Sequence, residues 1–173
     1  FVPTSALSPG LASLLNARSR LGVRNSAHTL VKLIDPFNGV GLRLISASHP
    51  DYLQLLSDFL IATGFDALLL RGTEGEPYAN PKRRPELRYF QGGESRVLFE
   101  AESGPIKSVP PIPDTCDAVS TARWIKRVLA REISAPLPLV NQLACCLYAS
   151  GYSQDFNQAK AIAAVETGSL AAA

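Results

Sequence analysis

The stretch "LRLISASHPDYLQLLSDFLIATGFDALLLR", residues 42–71, decides the fold. Residues 42–48 predict a buried strand. His49-Pro50 then opens a helix over 51–63, because the fixed φ of proline suits a first helical turn. Leu53, Leu56 and Leu60 fall on one face of that helix, and Gly64 supplies its stop. The run Ala67-Leu68-Leu69-Leu70 is short and flanked by turn residues. It predicts a second strand, over 66–71, buried on both faces. Strand, helix and strand within about 30 residues is the spacing of a parallel βαβ unit.

Downstream, a polar loop begins at Gly72-Thr73-Glu74-Gly75 and contains Pro77, Pro81 and Pro85. Segments 87–90 and 96–101 flank Gln91-Gly92-Gly93-Glu94, the signature of a hairpin. A Pro-rich crossing follows over 104–113. The remainder predicts helices over 117–131, 137–149 and 156–166, with Gly151 and Gly168 just past two of the ends, then a frayed tail over 171–173. Upstream, Ser8-Pro9 starts a helix that Gly22 ends, with Leu11, Leu14 and Leu15 on one face. A further helix, starting at Asn25 or Ser26, turns Leu30, Leu33 and Ile34 inward and stops at Asp35-Pro36. The expected fold is α/β: a βαβ unit, a hairpin and packed helices in one domain.

The chain has 173 residues, 46% hydrophobic and 18% charged, with 17 Lys plus Arg against 15 Asp plus Glu. That composition excludes a disordered chain. No apolar run approaches the roughly 18 residues a membrane helix needs, so no membrane partner is expected. Three Cys, two of them adjacent at 145 and 146, do not make a disulfide scaffold and fit a reducing cytoplasm. The chain contains no Met, and it is therefore expected to be a piece of a longer protein.

The charge is unevenly placed. Residues 1–48 hold Arg18, Arg20, Arg24, Lys32 and Arg43 against Asp35 alone. A second cluster is Lys82, Arg83, Arg84 and Arg88, opposed by Glu86. A third is Arg123, Lys126, Arg127 and Arg131, in which Arg123, Arg127 and Arg131 repeat every four residues along one helical face. Such clusters suit a surface facing phosphates; the competing reading, preferred for the third cluster alone, is a solvated helix face. His28 and His49 have no Cys at metal spacing, so no zinc site is expected and His28 reads as a polar packing residue. Cys145 and Cys146 read as small buried hydrophobes. Gly72-x-x-Gly75 lacks the Lys-Ser/Thr of a P-loop and the third Gly of a dinucleotide fingerprint, and reads as a turn. Glu74 and Glu76 read as solvated loop acids.

Residues 18–36, "RSRLGVRNSAHTLVKLIDP", resemble a segment of the anthranilate phosphoribosyltransferase family (glycosyltransferase family 3), whose members read R-x-x-L-G-x-R-T-x-F-N-x-L-G-P-L-x-N-P. Arg18, Leu21, Gly22, Arg24, Leu30, Leu33 and Pro36 match. The stretches "ALLLRGTEGE" (67–76), "LVNQLACCLYASGY" (139–152) and "AKAIAAVETGSLA" (159–171) resemble later family motifs in the same order. The resemblance thus implies the carboxyl-terminal part of a nucleoside phosphorylase/phosphoribosyltransferase-like domain. The family's Gly-rich G-T-G-G-D phosphate loop, its K-H-G-N-R stretch and its amino-terminal helical domain, through which such proteins form homodimers, would lie upstream.

Departures from the pattern redirect the functional reading. After G-x-x-G the enzymes carry an Asp-Glu metal pair; here Pro77 and Tyr78 stand in its place. The wording "LGVRNSAHTLVKL" resembles bacterial paralogues that keep the fold but bind nucleic acid. The leading expectation is binding of DNA or RNA with weak sequence preference. The phosphate contacts would come from Arg18, Arg20, Arg24, Lys32, Lys82, Arg83 and Arg84, with no catalytic residues, no metal and no cofactor. For Arg24 an ion pair at a helix end or dimer contact stays equally open. The alternative is part of an active transferase using Mg²⁺ and phosphoribosyl diphosphate, in which Arg18 would hold the carboxylate of an aromatic amine such as anthranilate. A third possibility is a degenerate relative with a structural or assembly role.

Overall fold

A computed structural model describes residues 2–23, 25–36, 41–73, 76–106, 111–115 and 117–169. Its centre is a four-stranded mixed sheet in the order β1 (Arg43–Ala47), β2 (Ala67–Arg71), β3 (Leu87–Gln91), β4 (Glu94–Phe99). The β1 and β2 strands are parallel, pairing Arg43 with Ala67 through to Ala47 with Arg71. Between them runs α5 (Pro50–Thr63), capped by His49 at its start and by Gly64 in the left-handed region at its end. The expected βαβ unit is therefore present, and the fold is α/β.

The apolar run of β2 is continuous because both of its faces are covered. Ala67 and Leu69 pack with Ile45, Leu56, Leu60 and Phe90 on the α5 side. Leu68 and Leu70 pack with Leu87, Tyr89 and Cys145 on the opposite side. That second side is closed by α7 (Leu137–Ala149), which pairs with α8 (Phe156–Glu166). Small residues at the α7–α8 contact, Ala144 and Ala163 among them, let the helices approach closely. The hairpin turns at Gly92-Gly93, both with positive φ (58° and 85°), as a two-residue turn between twisted strands requires.

The amino-terminal region differs from the expected pair of helices. It forms α1 (Thr4–Leu7), α2 (Pro9–Asn16) and α3 (Arg18–Leu21), with a break at Ala17, and buries no residue in any of them. Leu14 is exposed rather than part of a packed face. The next helix is a single turn, α4 (Ala27–Leu30), tightening into a 3₁₀ turn over Val31–Leu33. Leu33 reaches the core, whereas Leu30 points to solvent. The α6 helix (Ala118–Leu129) stops short of Arg131, whose φ of 60° takes it off the helix. Arg131 therefore does not continue the Arg123–Arg127 row. Part of the Pro-rich crossing (107–110) and the expected tail over 171–173 lie outside the described residues.

Candidate nucleic-acid interface

Two of the first-cluster cations stand on α3. Arg18 and Arg20 are exposed, and among the described residues no carboxylate pairs with either. Gly22 ends α3 in the left-handed region (φ 72°), a conformation that costs glycine nothing. Arg24 lies outside the described residues. The remaining charges of the cluster are placed differently. Arg43 is withdrawn from solvent: its guanidinium bonds Asp35 at 2.6 Å and lies 4.0 Å over the Phe65 ring. The one acid among the first 48 residues is thus held by a buried arginine.

Lys32 projects from the 3₁₀ turn onto the carboxyl end of β1, where its Nζ donates to the Ser46 backbone oxygen at 2.6 Å. There it helps line a cavity of about 300 Å³. One wall is the 25–32 segment, including His28 and Thr29; the other is Ser46–Ser48, with Tyr52 of α5 completing it. The carboxyl ends of parallel strands are where α/β folds place ligands. Among the described residues no Asp or Glu lines the cavity. The first wall is braced from behind: the Asn25 amide donates to the Leu14 oxygen (2.8 Å), its Oδ1 accepts from the Ala27 N–H (3.0 Å), and the Asn25 N–H donates to His28 Nδ1 (3.3 Å). His28, read from sequence as a packing residue, faces this cavity. Sequence reasoning also missed Ser46 and Ser48; the only local signal was their place at a strand end.

The second cluster divides. Lys82 and Arg83 are exposed, with Arg83 donating to the Gly104 oxygen at 2.7 Å. Arg84 is a loop anchor. Its guanidinium lies 4.9 Å over Phe99, donates to the Glu100 oxygen at 3.1 Å and faces the Glu102 carboxylate at 3.9 Å. Arg88 pairs with Glu86 at 2.8 Å. In the third cluster Arg127 pairs with Glu132 and Arg131 with Glu166, which supports the solvated-face reading there.

The loop after β2 is fixed from α7. Gln142 is buried; its Oε1 accepts from the Ala79 N–H at 2.6 Å and its Nε2 donates to the Pro77 oxygen at 2.9 Å. Both backbone groups are satisfied by one side chain across more than 60 residues of sequence. Gln142→Ala removes both partners at once and is expected to cost about 2 kcal/mol or more, read as a lowered urea midpoint. This clamp also bears on metal binding. The two positions that hold carboxylates in the resembled enzymes present Pro77, whose carbonyl is already engaged, and an exposed Tyr78. That donor set does not suit Mg²⁺, which takes carboxylate oxygens and water. Glu74 lies outside the described residues. Among the described residues no group of three His, Cys, Asp or Glu is placed to hold a metal ion. Burial pushes the Cys145 thiol up to about 12 and raises Cys146 as well, which favours the neutral thiols.

No family model matches the chain. Over 152 residues, 87% of its length, it is 45% identical to the uncharacterized protein YbiB of Escherichia coli (strain K12). Those residues make up 47% of YbiB, so the chain spans about half the length of the curated relative it matches. Among the described residues, no helix is long and apolar enough to cross a membrane.

Proposed function

We propose that the protein binds nucleic acid, DNA or RNA, through its phosphates and with little sequence preference, on a phosphoribosyltransferase-like fold that has lost its metal-dependent transfer site. The observation that carries this reading is the separation of charge in the first 48 residues. Asp35 is locked onto the buried Arg43, and Arg18 and Arg20 stand exposed with no carboxylate paired to them among the described residues. Lys32 adds a cation to the wall of a cavity that no Asp or Glu lines among the described residues, and Lys82 and Arg83 form a second exposed pair. Phosphate contacts of this kind supply affinity and position, not sequence information. The donor set at Pro77 and Tyr78 supports the loss of the transferase site. The proposal includes a homodimer in the cytoplasm, where the thiols of Cys145 and Cys146, which are free, stay reduced.

The test is a salt series of binding to a labelled duplex and a labelled single strand. Log affinity is expected to fall with log salt by roughly 0.7 to 0.9 per phosphate neutralised. Arg18→Ala with Arg20→Ala should reduce that slope by about 1.5. Absence of binding at low salt defeats the proposal; an unchanged slope in the double variant moves the interface elsewhere. Formation of phosphoribosyl anthranilate from phosphoribosyl diphosphate and Mg²⁺ would establish the transferase instead.

A further inference from the structure

We infer that the cavity at the carboxyl end of β1 takes a phosphate monoester, and that in this protein the monoester is the terminal phosphate of a nucleic-acid strand. The choice of strand rests on the proposed function; the choice of chemistry rests on the cavity. Its lining is rich in donors. Lys32 contributes an ammonium, Thr29, Ser48 and Tyr52 bring hydroxyl-bearing side chains, and His28 contributes a ring. With no carboxylate among the described lining residues, the complementary ligand is an anion offering several acceptor oxygens. A monoester carries about −1.5 to −2 charges at neutral pH and three acceptor oxygens, whereas a backbone diester carries a single charge.

Shape separates the two further. A diester inside a strand is flanked by sugars on both sides and must lie along a surface. A terminal monoester has one free side and can enter a hollow end-on. The cavity, about 300 Å³, has the volume of roughly ten waters, enough for the phosphate and part of its sugar. It is also preformed. Lys32 is held to Ser46 at 2.6 Å, Asn25 ties the 25–28 turn to α2, and Gly72 packs directly behind Ser46. A site held in place before binding loses little ordering entropy when the ligand arrives. Exposed Arg18 and Arg20, a few residues upstream, would then meet the phosphates that follow the terminal one. The pocket supplies end recognition and the arginines supply the salt-dependent remainder.

The experiment compares one oligonucleotide in three forms, with a 5′-phosphate, with a 3′-phosphate or with hydroxyls at both ends, by fluorescence anisotropy with the full chain. A phosphorylated end is expected to tighten binding about tenfold, the yield of one or two charge-assisted hydrogen bonds. A nucleoside 5′-monophosphate should cancel that increment and the nucleoside alone should not. Lys32→Met should abolish the increment, whereas Arg18→Ala should weaken all three forms equally. Because Lys32 also holds Ser46, Thr29→Val serves as a second variant that keeps this bond and removes one cavity hydroxyl; it should reduce the increment without moving the thermal midpoint. Equal affinity for all three forms overturns the inference and leaves the nucleic-acid reading standing, as does an increment that survives both variants. Binding of the monophosphate without binding of any strand at low salt retains the cavity's chemistry, overturns the strand as its source and defeats the proposed function.

Discussion

Asp35→Ala is expected to lower folding stability by about 3 kcal/mol, read from urea unfolding at unchanged m-value. The effect comes from the residue left behind. Arg43 opens β1 with only 9% of its side chain exposed, over the Phe65 ring and 2.6 Å from Asp35. Arginine does not lose its proton at any accessible pH, so removing the carboxylate strands a full positive charge against the core. Breaking one side of a buried pair costs far more than replacing both sides by apolar groups. The double variant, Asp35→Ala with Arg43→Met, should therefore recover most of the loss, because methionine fills the stem of arginine and packs against Phe65. Equal stability in the single variant and the native chain would mean that water already solvates Arg43. The pair also has a functional corollary. Arg43→Met alone should leave the salt slope of nucleic-acid binding unchanged, since that arginine faces no solvent phosphate.

Parts of this molecule were legible because their signals are local. In β2 the Ala67–Leu70 run announces burial on two faces, and α5 on one side and α7 on the other provide them. The bounds of α7 and α8 match the sequence expectation because each helix starts at a clear signal, Pro at the beginning of one and Asp155 capping the other, and ends before a glycine. The antiparallel pairing of β2 with β3 had no such signal, since a long loop separates the two strands. The break at Ala17 was invisible because alanine favours helix; only the lack of a buried face in α1 to α3 explains why nothing forces continuity. Charge clusters were legible as clusters but not as surfaces. Arg84 and Arg83 are neighbours in sequence, yet Phe99 and Glu102, many residues on, claim the first and leave the second exposed. The cavity escaped notice for the same reason. It is assembled from three separate segments, and Lys32 finds its partner in a backbone carbonyl, which no residue pattern encodes.

Gly72→Ala should be at least as costly, about 3 kcal/mol or more, because it overpacks the centre of the site. Here glycine is required for space rather than for backbone freedom: its φ is not in the left-handed region. A Cβ at this position would sit 2.7 Å from both Cβ and Oγ of Ser46, and closer still to the backbone oxygen of Glu76. Neither neighbour can yield cheaply. Ser46 is buried within β1, and Glu76 is tied back by its N–H donating to the Thr73 oxygen at 2.9 Å. Gly72 thus has a steric reason to be glycine, since its backbone passes directly behind Ser46 of β1; residues 74 and 75 of the Gly72-x-x-Gly75 stretch lie outside the described residues. Gly10→Ala provides the control. It lies in the exposed first turn of α2 with nothing within 4 Å of the added methyl, and should be neutral or stabilising by about 0.5 kcal/mol. If Gly72→Ala remains folded, the strain must be relieved by moving Ser46, and with it the carbonyl that holds Lys32. The preference for a phosphorylated strand end would then fall, while the binding carried by Arg18 and Arg20 stays as it was. Normal stability in Gly72→Ala would mean that Glu76 and Ser46 move aside without strain, and normal end preference that the cavity does not depend on the contact behind Ser46.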